Sequence, residues 1–375
     1  MAITLARSGK KLAFAGPSMT QKEVDYVTDA VKNGWYETFH MHVQKLKAAV
    51  SGYLGMKYVH PTHCCTLALH LSAEALGLKE GDEVICTDSS WVATAYSISY
   101  TGATPVFVDI DPETWCIDPE AIRKAITPKT KAIMLVHMFG HPARMDEIMQ
   151  IAREHDLKVI EDAAPSLGAE FKGRKVGTFG DFACFSFQGA KIAVSGEGGV
   201  LVTNDEALYK KAVLLSEMGR TDSRSIFWSD QIGYQYTMGN ISAALALAQV
   251  ERIDELVAIK RRIFGWYHDR LKDIDGLQVI KEAQGCKSNY CYPSVLLGDS
   301  ITVERDALLA RFRELNIHAR PGFPRMSKFP VYEERFPNPV ADKVWKRGVC
   351  LPAAANIEEQ DVDFICKALR ETISK

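Results

Sequence analysis

The 375-residue chain lacks any uninterrupted apolar run long enough to cross a bilayer. Residues 1–7 carry no continuous apolar stretch of the kind a secretory leader needs. Its charges nearly cancel, with 45 Lys and Arg against 47 Asp and Glu for a net −2, so there is no general pull toward nucleic acid or membrane. The nine cysteines are scattered and odd in number, and the neighbours Cys64 and Cys65 have no metal-ligand spacing. A reducing, cytoplasmic compartment with free thiols and no bound metal is expected. No G-x-G-x-x-G opens the first βα unit, which argues against a nicotinamide-dependent dehydrogenase, and the glycines at 196–199 have the wrong spacing. There is no repeat, low-complexity tract or linker, and no basic segment that would make the chain a nucleic-acid-binding regulator.

What the chain does have is apolar content, 47% of residues, enough for one large domain and a smaller one. Thr20 to Glu23 has capping-box spacing, and Val24, Val27 and Val31 follow at helical intervals up to Gly34. Residues 66–77 read as a Leu- and Ala-rich helix. Short apolar runs at 84–86, 105–108, 132–137, 157–161, 183–187 and 200–203 then alternate with helical stretches, one of them around 146–155. This alternation predicts an α/β fold with a mostly parallel sheet covered by helices on both faces. Helical sequence from 241 to about 271 crosses toward a smaller C-terminal α/β unit that begins near Gly276. The expected division is a large domain over 1–250 and a small one over 251–375.

Lys191 stands between the apolar run 182–187 and a glycine-rich apolar segment. A lysine in such surroundings is costly unless neutralised, paired or used covalently. Upstream, Glu161 and Asp162 end a predicted buried strand. Alternation along a strand sends the two side chains to opposite faces, and ligands gather at the carboxyl ends of parallel strands. A lysine amine and a carboxylate are the two groups that pyridoxal phosphate chemistry requires, one for the aldehyde and one for the pyridine nitrogen. His137, also at a strand end, reads as a core histidine.

The motifs EDAAPSLGA (161–169), CFSFQGAK (184–191), GEGG (196–199) and IGYQYTMGNISAALALAQVERID (232–254) occur in that order. In them the chain resembles the DegT/DnrJ/EryC1/StrS family of sugar aminotransferases from about Thr20 onward. The resemblance implies a fold-type I (aspartate aminotransferase-like) transferase that binds pyridoxal 5'-phosphate and works as a homodimer with sites at the interface. It implies Lys191 as nucleophile and proton carrier and Asp162 as the acid at the pyridine nitrogen. It also implies Cys65, Thr66 and Ser186 around the phosphate, Trp91 against the ring, and Gln235 serving the partner's cofactor, with Asn240 near it. The amino donor is expected to be L-glutamate. The default acceptor is a nucleotide-linked 4-keto-6-deoxy sugar for a bacterial surface polysaccharide, and the alternative is a free sugar acid such as 8-oxo-Kdo. Dehydratase relatives replace the lysine by histidine, so Lys191 argues against that activity.

The chain departs from the family pattern mainly on the substrate side. Cys64-Cys65-Thr66 stands where relatives have Asn/Ser-Gly-Thr, which removes a glycine from the phosphate turn. Pro165, Gln235, Thr237 and Ser327 stand where Gln or His, Asn, Arg and His are common. Arg320, Arg325 and Ser327 are the expected acceptor contacts, with Lys328 beside them. Their cations suit either a diphosphate or a sugar-acid carboxylate.

Overall fold

The computed structural model describes residues 10–221, 225 and 227–374; residues 1–7, where the absence of a leader is expected, lie outside them. Seven strands form the main sheet: β1 Tyr58–Thr62, β2 Glu83–Thr87, β3 Thr104–Val108, β4 Thr130–Val136, β5 Lys158–Asp162, β6 Phe182–Ser186 and β7 Gly199–Thr203. Their spatial order is β1-β7-β6-β5-β4-β2-β3. The neighbours from β6 to β3 pair in parallel, and β7 runs antiparallel to both β6 and β1. The central strands are apolar and buried on both faces, as a sheet sandwiched between helices requires.

Six of these strands coincide with the apolar runs of the sequence. β1 does not, because His60 and Pro61 interrupt its pattern. Proline is tolerated there because β1 lies at the sheet edge, where one side of the strand has no ladder to complete.

The early helices follow their local signals. α1 (Gln21–Asn33) begins with the Thr20–Glu23 capping box, a device worth about 1 kcal/mol. After α2 (Met41–Leu54), α3 (Cys65–Leu76) ends at Gly77, whose φ of 83° suits the left-handed cap. α4 (Ala93–Ser99), α5 (Pro119–Ala125), α6 (Met145–Glu154) and α7 (Glu206–Ser216) connect strands of the sheet or extend from it. α6 buries Ile148, Ile151 and Ala152, the stripe its spacing predicts.

The long helical stretch after 240 is two helices, α8 (Asn240–Val250) and α9 (Ile253–Leu271). α9 serves two cores. Ile253, Leu256 and Val257 pack with β6 and β7, while Ile263, Tyr267 and Leu271 pack under a second sheet. That sheet holds β8 (Leu277–Val279), β9 (Ser294–Leu297), β10 (Arg320–Pro321) and β11 (Gly348–Cys350) in the antiparallel order β8-β9-β11-β10. α10 (Arg305–Glu314) and α12 (Glu359–Ile373) cover it, and α11 (Pro339–Arg347) leads into β11. The expected boundary at 250 therefore falls just before a helix shared by both cores. The N-terminal segment also joins the second core, since Leu12 bridges Ile317. No helix among the described residues is long and apolar enough to cross a membrane.

Candidate active site

The carboxyl ends of β2, β4, β5 and β6 point to one edge of the main sheet, and the chemistry-bearing residues collect there. β5 delivers Glu161 and Asp162 to opposite faces. Glu161 is fully buried and accepts hydrogen bonds from the backbone N–H groups of Gly177, Phe179 and Gly180, each at 2.7 Å. His137 Nε2 lies 2.9 Å from it, and His137 Nδ1 accepts from the Ala143 N–H at 3.0 Å. An Nδ1 acceptor fixes the proton on Nε2, so His137 donates to Glu161 and is a satisfied core histidine. Burial would raise the Glu161 carboxyl, but His137 and these N–H donors hold it below its ordinary range.

Asp162, on the other face, is 5% exposed. Thr94 Oγ1 donates to its Oδ2 at 2.7 Å and the Ala164 N–H to its Oδ1 at 3.1 Å. Burial raises its pKa, and Thr94, Ala164, Lys191 and His137 oppose the rise in that order. A carboxylate has about four acceptor positions, so two such donors leave it able to accept a further cationic N–H.

Lys191 lies in the loop after β6. Its N–H bonds the Gln188 carbonyl at 2.8 Å, and the Tyr292 hydroxyl donates to the Ala190 carbonyl at 2.8 Å. The Lys191 ammonium stands 5.9 Å from the Tyr292 ring centroid. The Tyr292 ring stacks on Phe14 at 4.7 Å. Sequence reasoning missed Tyr292 because it comes from the second sheet's side of the chain, far from any motif.

The start of α3 offers a place for a phosphate. Its N-cap, Cys64, makes no side-chain cap, so the first-turn N–H groups and the helix dipole remain available to an anion. Gly199 pairs with Thr62 on one side and Ser186 on the other. A Cβ on Gly199 would sit 2.6 Å from the Cys65 nitrogen, so only glycine lets β7 approach the helix start this closely. The family's missing glycine leaves no backbone strain, because Cys65, which stands in its place, is the first residue of α3 and does not have a positive φ. The Cys65 thiol is buried and raised in pKa by that burial. Thr66, next on α3, is half-buried.

Trp91 precedes α4 and is 63% exposed, an unusual state for a tryptophan beside a buried cluster. Its ring faces Phe323 at 6.5 Å. The Thr94 N–H bonds the Trp91 carbonyl, so one turn carries both the exposed ring and the hydroxyl that holds Asp162. Together these features fit pyridoxal phosphate: a buried carboxylate with open acceptor capacity, an amine, an uncapped helix start lined by a glycine, and an open aromatic face.

The substrate-side expectations separate. Arg320 is exposed, its guanidinium lies 4.5 Å over the Phe14 ring, and it has no ion pair among the described residues. Arg325 and Ser327 are instead 3% exposed and bound to Asp88. Arg325 Nε and Ser327 Oγ each donate to Asp88 Oδ2 at 2.8 Å, the Ser327 N–H donates to Oδ1, and Asn338 completes the hub. Arg325 also bonds Glu334, Ser327 and the Phe336 carbonyl, so its guanidinium is spent within the protein. This corrects the placement expected for both residues, and it follows from a buried acid, Asp88, whose need for partners no local pattern announces. Lys328 pairs with Glu334. Gln235 is exposed on a bridge to Glu217. Asn240 accepts from the His42 N–H at 2.8 Å and ties α8 to α2. Pro165 is buried in a loop that Asn289 holds through the Pro165 and Leu167 carbonyls.

Comparison with known proteins agrees with this geometry. The model of the DegT/DnrJ/EryC1/StrS aminotransferase family matches residues 17–370. A GDP-perosamine synthase of Escherichia coli O157:H7 is 38% identical over 359 residues, 96% of this chain and 97% of that protein. EpsN of Bacillus subtilis, described as a putative pyridoxal phosphate-dependent aminotransferase, is 33% identical over 96% of this chain and 95% of its own. The structure of DesI in the presence of its TDP-sugar product superposes with a TM-score of 0.90 at 28% identity, covering 99% of this chain and 94% of that one. The chain belongs to the DegT/DnrJ/EryC1/StrS family and is a pyridoxal phosphate-dependent sugar aminotransferase.

Proposed function

We propose that the enzyme takes an amino group from L-glutamate and gives it to a keto sugar carried on a nucleotide. The convergence of Lys191, Asp162 and an open Trp91 face at one sheet edge supports the chemistry. The 38% identity to a GDP-perosamine synthase and the likeness to DesI with its TDP-sugar product support the acceptor class.

When bound, pyridoxal phosphate supplies an aldehyde that exchanges amines and a ring that draws electrons from the substrate carbon. Lys191 Nζ would hold the cofactor and carry the substrate proton. Asp162 would accept a hydrogen bond from the ring nitrogen and favour its charged form. The first turn of α3, with Cys65 and Thr66, and Ser186 would hold the phosphate. Trp91 would lie against the ring.

The assembly is a homodimer. Trp35, Tyr36, Phe39, Phe227 and Ile232 are each exposed, as is Gln235, and large apolar side chains left in water are candidates for a partner's cover. A second copy seated there brings Gln235 to the partner's cofactor.

One observation favours a second acceptor class. With Arg325 paired to Asp88 and Lys328 to Glu334, Arg320 is, among the described residues, the cation of these three without an ion pair. A single guanidinium matches one carboxylate better than a diphosphate, as a free sugar acid such as 8-oxo-Kdo would present. The test is to convert the enzyme to its amine-loaded form with glutamate and offer it a panel of nucleotide-linked and free carbonyl sugars. Turnover of a nucleotide-linked sugar supports the first reading. Turnover of free sugar acids alone, with no competition by UDP, GDP or dTDP, replaces it with the second.

A further inference from the structure

Asp162 is held by a short relay that begins one residue before Trp91. Ser90 Oγ and Thr94 Oγ1 are 3.2 Å apart, and Thr94 Oγ1 lies 2.7 Å from Asp162 Oδ2. Ser90, Thr94 and Asp162 are all buried, at 4%, 0% and 5% exposure. An ionised carboxylate can only accept, so Thr94 donates to Asp162. The lone pairs of Thr94 are then free to accept from Ser90, and the relay has one direction: Ser90 to Thr94 to Asp162.

We infer that Thr94, backed by Ser90, is a positioning residue that holds the Asp162 carboxylate in the orientation and charge state that keep the cofactor's ring nitrogen protonated. The inference rests on the proposed contact between Asp162 and that nitrogen. A proton shared between a pyridine and a carboxylate stays on nitrogen only while the carboxylate is the weaker base. Burial works against this, because a desolvated carboxylate gains basicity. The titratable groups that face Asp162 are Lys191, His137, Cys65 and Cys184. His137 is already bound to Glu161 and to a backbone N–H, and the buried thiols add no positive charge. Lys191 is the group that would hold the cofactor and carry the substrate proton, so its charge does not stay fixed through the cycle. Thr94 is the side-chain donor on Asp162 that persists through that change. It also fixes which oxygen is occupied, and the Ala164 N–H fixes the other. Because Thr94 and Trp91 share one helical turn, the ring cover and the nitrogen contact are set by the same short element.

The test is nitrogen NMR of holoenzyme reconstituted with pyridoxal phosphate labelled with 15N in the ring, which reads the protonation of that atom directly. Four variants are compared: Thr94→Val, Thr94→Ser, Ser90→Ala and Asp162→Asn. Thr94→Val is expected to move the ring resonance toward the unprotonated position and to lower kcat about tenfold to a hundredfold, the range of a lost hydrogen bond to a charged group. The donor KM should change much less. Thr94→Ser should restore both. Ser90→Ala leaves Asp162's own donors in place and should give a smaller shift in the same direction. An unshifted resonance in Thr94→Val beside a shifted one in Asp162→Asn overturns the role of Thr94 alone. An unshifted resonance in Asp162→Asn removes the nitrogen contact itself, and this inference with it.

Discussion

The Arg325 guanidinium and the Asp88 carboxylate meet at 2.8 Å, Nε to Oδ2, with side-chain exposures of 3% and 0%. Asp88 directly follows β2 and comes three residues before Trp91, so this pair ties the 325–338 loop to the segment that carries the exposed ring. Removing one partner of such a pair strands a buried charge, at a cost of about 3 kcal/mol. Arg325→Ala is therefore expected to lower the melting temperature by several degrees. Thermal unfolding checks this; an unchanged melting temperature with a raised acceptor KM would return Arg325 to the substrate.

Arg320 should behave in the opposite way. It is exposed and rests on Phe14, so Arg320→Ala is expected to change stability by no more than about 0.5 kcal/mol. Loss of a charge-assisted contact to the acceptor anion should raise the acceptor KM about tenfold or more. Separate half-reactions measure this. Equal effects on donor and acceptor, or none, would show that Arg320 does not select the acceptor.

Glu23 couples α1 to α8 and α9 and gives the fold an acid-sensitive point. Burial pushes its pKa up, but hydrogen bonds from Thr20, Arg252 and Gln249 prevail and hold it at about 2. The folded value lies below the ordinary 4.5, so the unfolded chain binds more protons between the two. Stability from this group is full above about pH 4.5 and is lost as pH falls toward 2. Glu23→Gln should lower stability near neutral pH and flatten its dependence between those values. Chemical denaturation at a series of pH values reads both, and an unaltered slope would contradict the assignment.

A dimer with shared sites predicts that activity follows association. Sedimentation at assay concentration should show two copies. Gln235→Ala should weaken cofactor retention while leaving the isolated chain's fold intact. A fully active monomer would exclude the shared site.

Much of this was legible in the sequence for physical reasons. The parallel strands announce themselves because burial on both faces demands continuous apolar runs, and Glu161 and Asp162 separate because a strand alternates. Lys191 stood out against its apolar flanks. What stayed hidden depends on contacts between distant parts of the chain. β1 was masked by Pro61, which only an edge position tolerates. The sharing of α9 by two cores has no local signature, since every residue involved is simply apolar. Arg325 and Ser327 read as acceptor contacts because their partner, Asp88, lies far away in sequence. Thr94 was visible only as one small polar residue, and its role depends on β5 ending beside α4.

The most direct measurement of the central claim is reduction of the holoenzyme with borohydride followed by peptide mapping. Reduction fixes the cofactor to whichever amine holds it. A label on Lys191 alone, lost together with turnover in Lys191→Ala, is expected. A label on any other lysine, or none at all in an enzyme that still transfers amino groups, would contradict the site built here around Lys191.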